Sequence, residues 1–191
     1  MRGWRARLGA VVPSSNTSVE GEFGAYAPDG VSVHAARMPL ESVTPTALDE
    51  MAEAAVDRAE SLSHAAVDAV AYACTTGSLL HGPGFDRELE ADIAEAAGVP
   101  AVATALSVKR ALRALDAERL IVATPYAEEF DRREADYLDA AGFEVLNVDG
   151  LGLEADRGVP VVTSNGATLW DALRRAGVST ASVPGRLGGE R

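Results

Sequence analysis

An α/β fold of two parallel-sheet lobes, the second of them cut short, is what this sequence predicts. Three observations lead there. Short apolar runs alternate with helical stretches along the whole chain. The junctions "AAGVP" (96–100) and "DRGVP" (156–160) each end a helix on glycine and open a strand after proline. The second half of the chain also repeats the first, with a piece missing.

Taken in order, the first apolar run is Leu8–Val12, inside "MRGWRARLGAVVP". It is too brief for a signal h-region with a cleavage site and reads as a first strand. Val31–Ala35 is the second strand. "TALDEMAEAAVDRAESLSH" (46–64) follows as a helix, because Leu48, Met51, Ala55 and Leu62 fall on one face. Further strands are expected at Val67–Ala73, Val99–Ala103, Leu120–Ala123, Phe143–Val148 and Val159–Val162. Strands separated by helices of this length pair in parallel through right-handed crossovers.

The repeat sets the domain division. "RLGAVVPSSNTSVEGEF" (7–23) is similar to "RLIVATPYAEEFDRREA" (119–135), and "GVPAVATALSVKRALRAL" (98–115) to "GVPVVTSNGATLWDALRRA" (158–176). The landmarks stand 91 positions apart in the first copy and 39 in the second, so about fifty residues are absent from the second. The absent part corresponds to the unit carrying "VDAVAYACTTGSLL". We therefore expect a first lobe at 1–115, a shortened second lobe of about three strands at 116–180, and a flexible tail at 181–191. A strand lost from inside a sheet leaves its neighbours with unpaired backbone groups. Either the Gly158–Val162 strand slides into the gap or a second copy covers it, so a homo-oligomer is expected.

Composition narrows the partners. The 191 residues hold 29 acidic and 17 basic side chains, a formal net charge of −12. Such a surface repels nucleic acid and anionic membranes, and neither is expected as a partner. No stretch approaches the roughly 20 apolar residues that cross a bilayer. Lys109 is the only lysine, and Cys74 the only cysteine. One cysteine permits no internal disulfide, which suits a cytoplasmic location.

Ligands of parallel sheets bind beyond the carboxyl ends of the strands. Three such ends carry polar residues here: "VVPSSNTS" (11–18), "YACTTGS" (72–78) and "VATPYAE" (122–128). Each precedes a helix, whose first N–H groups attract anions and lower thiol pKa values. None of the three contains Lys or Arg, so the backbone must supply the positive potential for a small carboxylate. Neither a P-loop nor a G-x-G-x-x-G fingerprint occurs. Cys74 is either a nucleophile presented at the mouth of this crevice and kept ionised, or a small residue that packs well. Ser14, Asn16, Thr75, Thr76 and Gly77 are candidate ligand contacts. Ser14 and Asn16 can equally be helix caps, and so can Asn165 before the last helix. The Tyr126 phenol can donate to a carboxylate or enolate oxygen. His34, His64 and His81 make no metal-ligand spacing, although His81 can approach the thiol if its helix is short. "DEMAE" and "DRRE" read as solvated helix faces.

Together, "VVPSSNTSVE", "YACTTGS", "TPY" and "VPVVTSNGATLW" resemble the maleate cis-trans isomerases. These belong to the aspartate/glutamate racemase superfamily, alongside the arylmalonate decarboxylases. The resemblance runs from about Leu8 to Gly177. It implies two similar flavodoxin-like lobes with the active site between them, no cofactor, and a small dicarboxylate substrate. By the same resemblance Cys74 attacks maleate, the adduct rotates about its new single bond, and fumarate leaves. Asn16, Thr75, Thr76 and Tyr126 match the positions that hold the carboxylates. The family's second-lobe cysteine falls in the missing unit. That excludes a two-thiol racemase mechanism and argues against a decarboxylase. What is implied is an isomerase, impaired, with Tyr126 or water supplying the proton. The alternative is an inactive carboxylate-binding relative or deletion variant.

Overall fold

A computed structural model describes residues 3–41, 44–79, 81–124, 128–150 and 161–189. Four strands form the first sheet: β1 (Ala6–Pro13), β2 (Val31–Met38), β3 (Ala69–Tyr72) and β4 (Ala101–Ala103). Their spatial order is β2-β1-β3-β4 and every pairing is parallel. A second sheet pairs β5 (Arg119–Thr124) with β6 (Glu144–Gly150), again in parallel. The helices are α1 (Val19–Tyr26), α2 (Pro45–Ser63), α3 (Thr75–Leu79), α4 (Phe85–Ala97), α5 (Thr104–Ala114), α6 (Glu128–Ala140) and α7 (Ser164–Arg175).

Local chemistry accounts for the main elements. α2 begins where Thr44 Oγ1 accepts the Ala47 N–H at 3.2 Å and Pro45 occupies the first turn. Its buried stripe is Leu48, Met51, Ala55, Ala59 and Leu62, one face at helical spacing. α4 stops at Gly98, whose φ of 68° lies in the left-handed region that glycine tolerates. In the first sheet, side-chain alternation divides the core. Leu8, Ala10, Val12, Ala69, Ala71 and Ala73 face α1 and α7, whereas Val11, Val70, Tyr72 and Cys74 face α2 and α4.

The two helices of the repeat pack on each other, with Thr168 Oγ1 donating to Thr104 Oγ1 at 3.0 Å. α5 lays Ala105 and Leu112 on Leu120, Tyr137, Leu138 and Phe143 of the second sheet's core. α7, which follows the second sheet in sequence, buries Ala167, Trp170 and Leu173 against the first.

Two expectations change here. Among the described residues the second sheet has two strands rather than about three. Of the run expected at 159–162, residues 159 and 160 lie outside the described residues, and Val161 and Val162 are irregular. Among the described residues β5 is paired on one side only, whereas its repeat counterpart β1 pairs with both β2 and β3. The tail is also less free than expected. Val183 and Leu187 are buried in the first core, and Arg186–Gly189 form a 3₁₀ turn. Apolar side chains with a groove to fill hold the chain end down.

Candidate active site

β3 ends at Tyr72, and Cys74 follows in the turn that starts α3. The Ala73 N–H donates to Val11 O at 2.9 Å, which sets this turn beside the end of β1 and the Ser14–Asn16 loop. Thr104 Oγ1 donates to Tyr72 O at 2.9 Å and accepts from Thr168, so the first turns of α5 and α7 reach the same end of the sheet. The structure thus gathers Ser14, Asn16, Cys74, Thr75, Thr76, Gly77 and the α7 residue Asn165 at one carboxyl edge. Tyr126 lies outside the described residues.

Three donors converge on the sulfur. The Gly77 N–H reaches Cys74 Sγ at 3.4 Å, Thr76 Oγ1 stands 3.6 Å away, and the Thr76 N–H also contributes. Ser78 Oγ donates to Cys74 O at 2.5 Å and fixes the turn from below. The side chain is nonetheless only 8% exposed and belongs to the core on the α2 and α4 side. Burial pushes the thiol above its ordinary value, and the three donors offset that only in part. This corrects the expectation of an ionised sulfur at a crevice mouth. The parity of β3 carries residue 74 onto the same face as Val70 and Tyr72, and desolvation outweighs three weak donors.

Other candidates are placed as follows. Asn16 Oδ1 accepts the Ser18 and Val19 N–H groups at 2.9 and 3.0 Å, capping α1. Ser14 Oγ accepts the Leu40 N–H at 2.9 Å and so ties down the neighbouring loop. Thr163, not Asn165, caps α7, taking the Gly166 N–H at 3.0 Å. His81 turns to Asp49 Oδ1 at 2.8 Å and stacks edge-on with Phe85 at 4.6 Å, which draws it toward α2. His34 Nε2 pairs with Ser32 Oγ at 2.9 Å. Among the described residues no three His, Cys, Asp or Glu side chains form a metal cluster.

Sequence reasoning missed Glu134. Its place in "DRRE" predicts a solvated face, yet it lines a hollow of about 10 Å³ with Thr75, Leu79, Ala105, Val108, Tyr137 and Leu138. Burial first, and the Asp131 carboxylate second, push its carboxyl up to about 7. The signal was present in the spacing: Phe130, Glu134, Tyr137, Leu138 and Ala141 fall on one helical stripe, four of them apolar or aromatic.

Beside this hollow, Asp86 Oδ2 accepts from Lys109 Nζ at 2.8 Å and from the Tyr137 hydroxyl at 2.5 Å. Burial alone would raise Asp86, but Lys109 and Tyr137 overcome it and hold the carboxyl below its ordinary range. Tyr137 is raised by burial and by Asp86. It also lines a cavity of about 340 Å³ with Lys109, Arg87 and Arg113.

Comparisons with known proteins agree with this architecture. Residues 8–157 match a family model described as arylmalonate decarboxylase. A maleate isomerase of Geobacillus stearothermophilus is 29% identical over 190 residues, spanning 93% of this chain and 75% of its own. An arylmalonate decarboxylase of Bordetella bronchiseptica is 28% identical over 225 positions, spanning 93% of each chain. That alignment is longer than the 191 residues here, so it opens gaps in this sequence. Among solved structures, a Nocardia farcinica maleate cis-trans isomerase superposes with a TM-score of 0.86 at 24% identity. It covers 96% of this chain and 98% of the other, and it carries a covalently bound succinylcysteine intermediate. With a family match over most of its length, the chain belongs to the arylmalonate decarboxylase family, among relatives that include maleate isomerases.

Proposed function

We propose that this chain is a cofactor-independent isomerase that converts a small cis-dicarboxylate, maleate, to its trans isomer, fumarate, through a covalent adduct on Cys74. The observation that carries the reading is the sulfur held by the Gly77 and Thr76 N–H groups and the Thr76 hydroxyl at the start of α3. Thiolates add readily to electron-poor alkenes, and donors in that position steady the sulfur's charge as it forms and as it returns. Ser14, Asn16, Thr75, Thr76 and Gly77 are the groups proposed to meet the carboxylates, and Tyr126 and Asn165 complete the proposed set. A lone free thiol suits a reducing compartment, and the cytoplasm is the compartment proposed.

A second reading rests on the burial of that same sulfur. A thiol pushed up by desolvation and lacking a second-lobe partner cysteine describes a relative that binds small carboxylates without turning them over. Incubation with maleate, followed by proton NMR, separates the two. Fumarate is expected from the native chain and none from Cys74→Ala. Activity that survives in Cys74→Ala rejects the covalent route. Thermal stabilisation by maleate without fumarate selects the binder.

A further inference from the structure

We propose that the cavity between α4, α5 and α6 binds a small dianion, a phosphate or a dicarboxylate, gripped by Arg87 and Arg113. The cavity is separate from the cysteine turn, and its ligand does not depend on the isomerase reading. Its volume is about 340 Å³, at the lower end of the range for small-molecule sites. α4 contributes Asp86 and Arg87, α5 contributes Lys109 and Arg113, and Tyr137 of α6 and Ala141, just past its end, close the far wall. None of the residues gathered at the Cys74 edge lines it.

Charge sets this cavity apart from the rest of the surface. The chain has 29 acidic and 17 basic side chains, yet three basic side chains and a single carboxylate line this hollow. Three cations against one carboxylate leave a local charge of +2 in a molecule of net charge −12. The carboxylate is also fully engaged. Asp86 Oδ2 accepts from Lys109 Nζ at 2.8 Å and from the Tyr137 hydroxyl at 2.5 Å, and Oδ1 accepts the Arg87 N–H at 2.9 Å. Asp86 therefore balances Lys109 and leaves the two arginines uncompensated.

Both arginines are exposed, and neither has a carboxylate partner among the described residues. Arg37, Arg110, Arg119, Arg132 and Arg133 each have one. Arg113 Nη2 donates to Ala141 O at 3.2 Å, which covers the carbonyl end of α6 that would otherwise repel an anion. The Arg87 guanidinium has no protein acceptor among the described residues. Planar guanidinium forks match the paired oxygens of a carboxylate or a phosphate, and two of them suit a ligand with two negative charges. The acidic remainder of the molecule repels such ligands, so a hollow of reversed sign is where one can be held. An occupant touches α4 and α5 of the first lobe and α6 of the second, and so fastens the lobes together.

The test is calorimetric titration of the native chain, Arg87→Gln and Arg113→Gln at low ionic strength. Inorganic phosphate, glycerol 3-phosphate and succinate are the probes, each in a separate arm. At least one should bind the native chain, and each variant should weaken that binding about 10- to 100-fold. Binding confined to succinate assigns a dicarboxylate, and binding confined to the other two assigns a phosphate. Added sodium chloride should weaken the complex, because the arginines are exposed. Arg113→Lys keeps the charge over the end of α6 and should bind more tightly than Arg113→Gln, which separates ligand contact from a loss of local structure. No binding of any of the three probes, or binding that either glutamine variant keeps at native strength, overturns the proposal.

Discussion

Gly77 has no room for a side chain. A Cβ built there would stand 2.3 Å from the Tyr72 hydroxyl and 2.7 Å from Met51 Cε, and both neighbours are buried. The same residue supplies the N–H on Cys74 Sγ, so packing behind the turn and chemistry in front of it share one position. Gly77→Ala is expected to cost about 1–3 kcal/mol through overpacking and to lift the N–H off the sulfur. Urea unfolding measures the first effect and a further rise in the thiol's titration the second. Glu134 gives a residue-scale prediction of opposite sign. Its carboxyl is raised to about 7 in the folded chain, against an ordinary value near 4.5. Folding therefore binds its proton more tightly, and this contribution to stability is present below pH 4.5 and lost as pH rises to 7. Glu134→Gln should therefore be more stable than the native chain at pH 8, on the order of 1–3 kcal/mol, and indistinguishable from it at pH 4.

At the scale of elements, α5 works as a two-sided clamp. Arg110 grips Glu90 of α4 with both nitrogens, at 2.7 and 2.9 Å, and reaches Asp171 of α7 at 2.7 Å. Ser107 adds a hydrogen bond to Asp171 at 3.1 Å, and Glu90 also accepts the Ala103 N–H at 2.8 Å. Next to Arg110, Lys109 joins Tyr137 in holding Asp86, one turn before Glu90 on α4, and so links α4, α5 and α6. Arg110→Ala strands two carboxylates that are mostly buried and should cost about 3 kcal/mol, measured by thermal or urea unfolding. Asp86 sits below its ordinary range, so its contribution is present above the unfolded value and disappears as pH falls through the folded one. Asp86→Asn should accordingly flatten the acid limb of the stability profile while lowering stability at pH 7.

For the whole molecule, the unbalanced second sheet is the main consequence of the shortened repeat. Ile121 is 61% exposed and Leu146 46% exposed, on strands whose counterparts in the first sheet, β1 and β2, lie under α2. Among the described residues β5 has an open parallel edge, and exposed apolar side chains beside such an edge invite pairing with another chain. Self-association of this chain is the proposal that follows. Light scattering after size exclusion should find a species larger than 20 kDa, and Ile121→Lys should return it to the monomer. A native monomer rejects the idea.

Much of this architecture was legible in the residues. Strand alternation, the Leu48–Met51–Ala55–Leu62 stripe and the glycine stop at Gly98 are local rules that hold wherever the segment packs. The grouping of the Asn16 loop with Cys74 followed from a general property of parallel sheets. What escaped were effects that exist only after packing. Cys74 is buried because the parity of β3 meets α2 and α4 there, and Glu134 is desolvated because α3 and α5 close over α6. Val183 and Leu187 are ordered because the first core has room for them.

The amino-acid order by itself determined the kind of fold, the repeat with its gap, and the single thiol at a strand-to-helix turn, since backbone preference and side-chain period act over a few residues. Only the tertiary structure decided which groups lost water. Desolvation depends on neighbours far apart in the chain, and it is desolvation that leaves Cys74 protonated and sets Glu134 to exchange a proton near neutral pH.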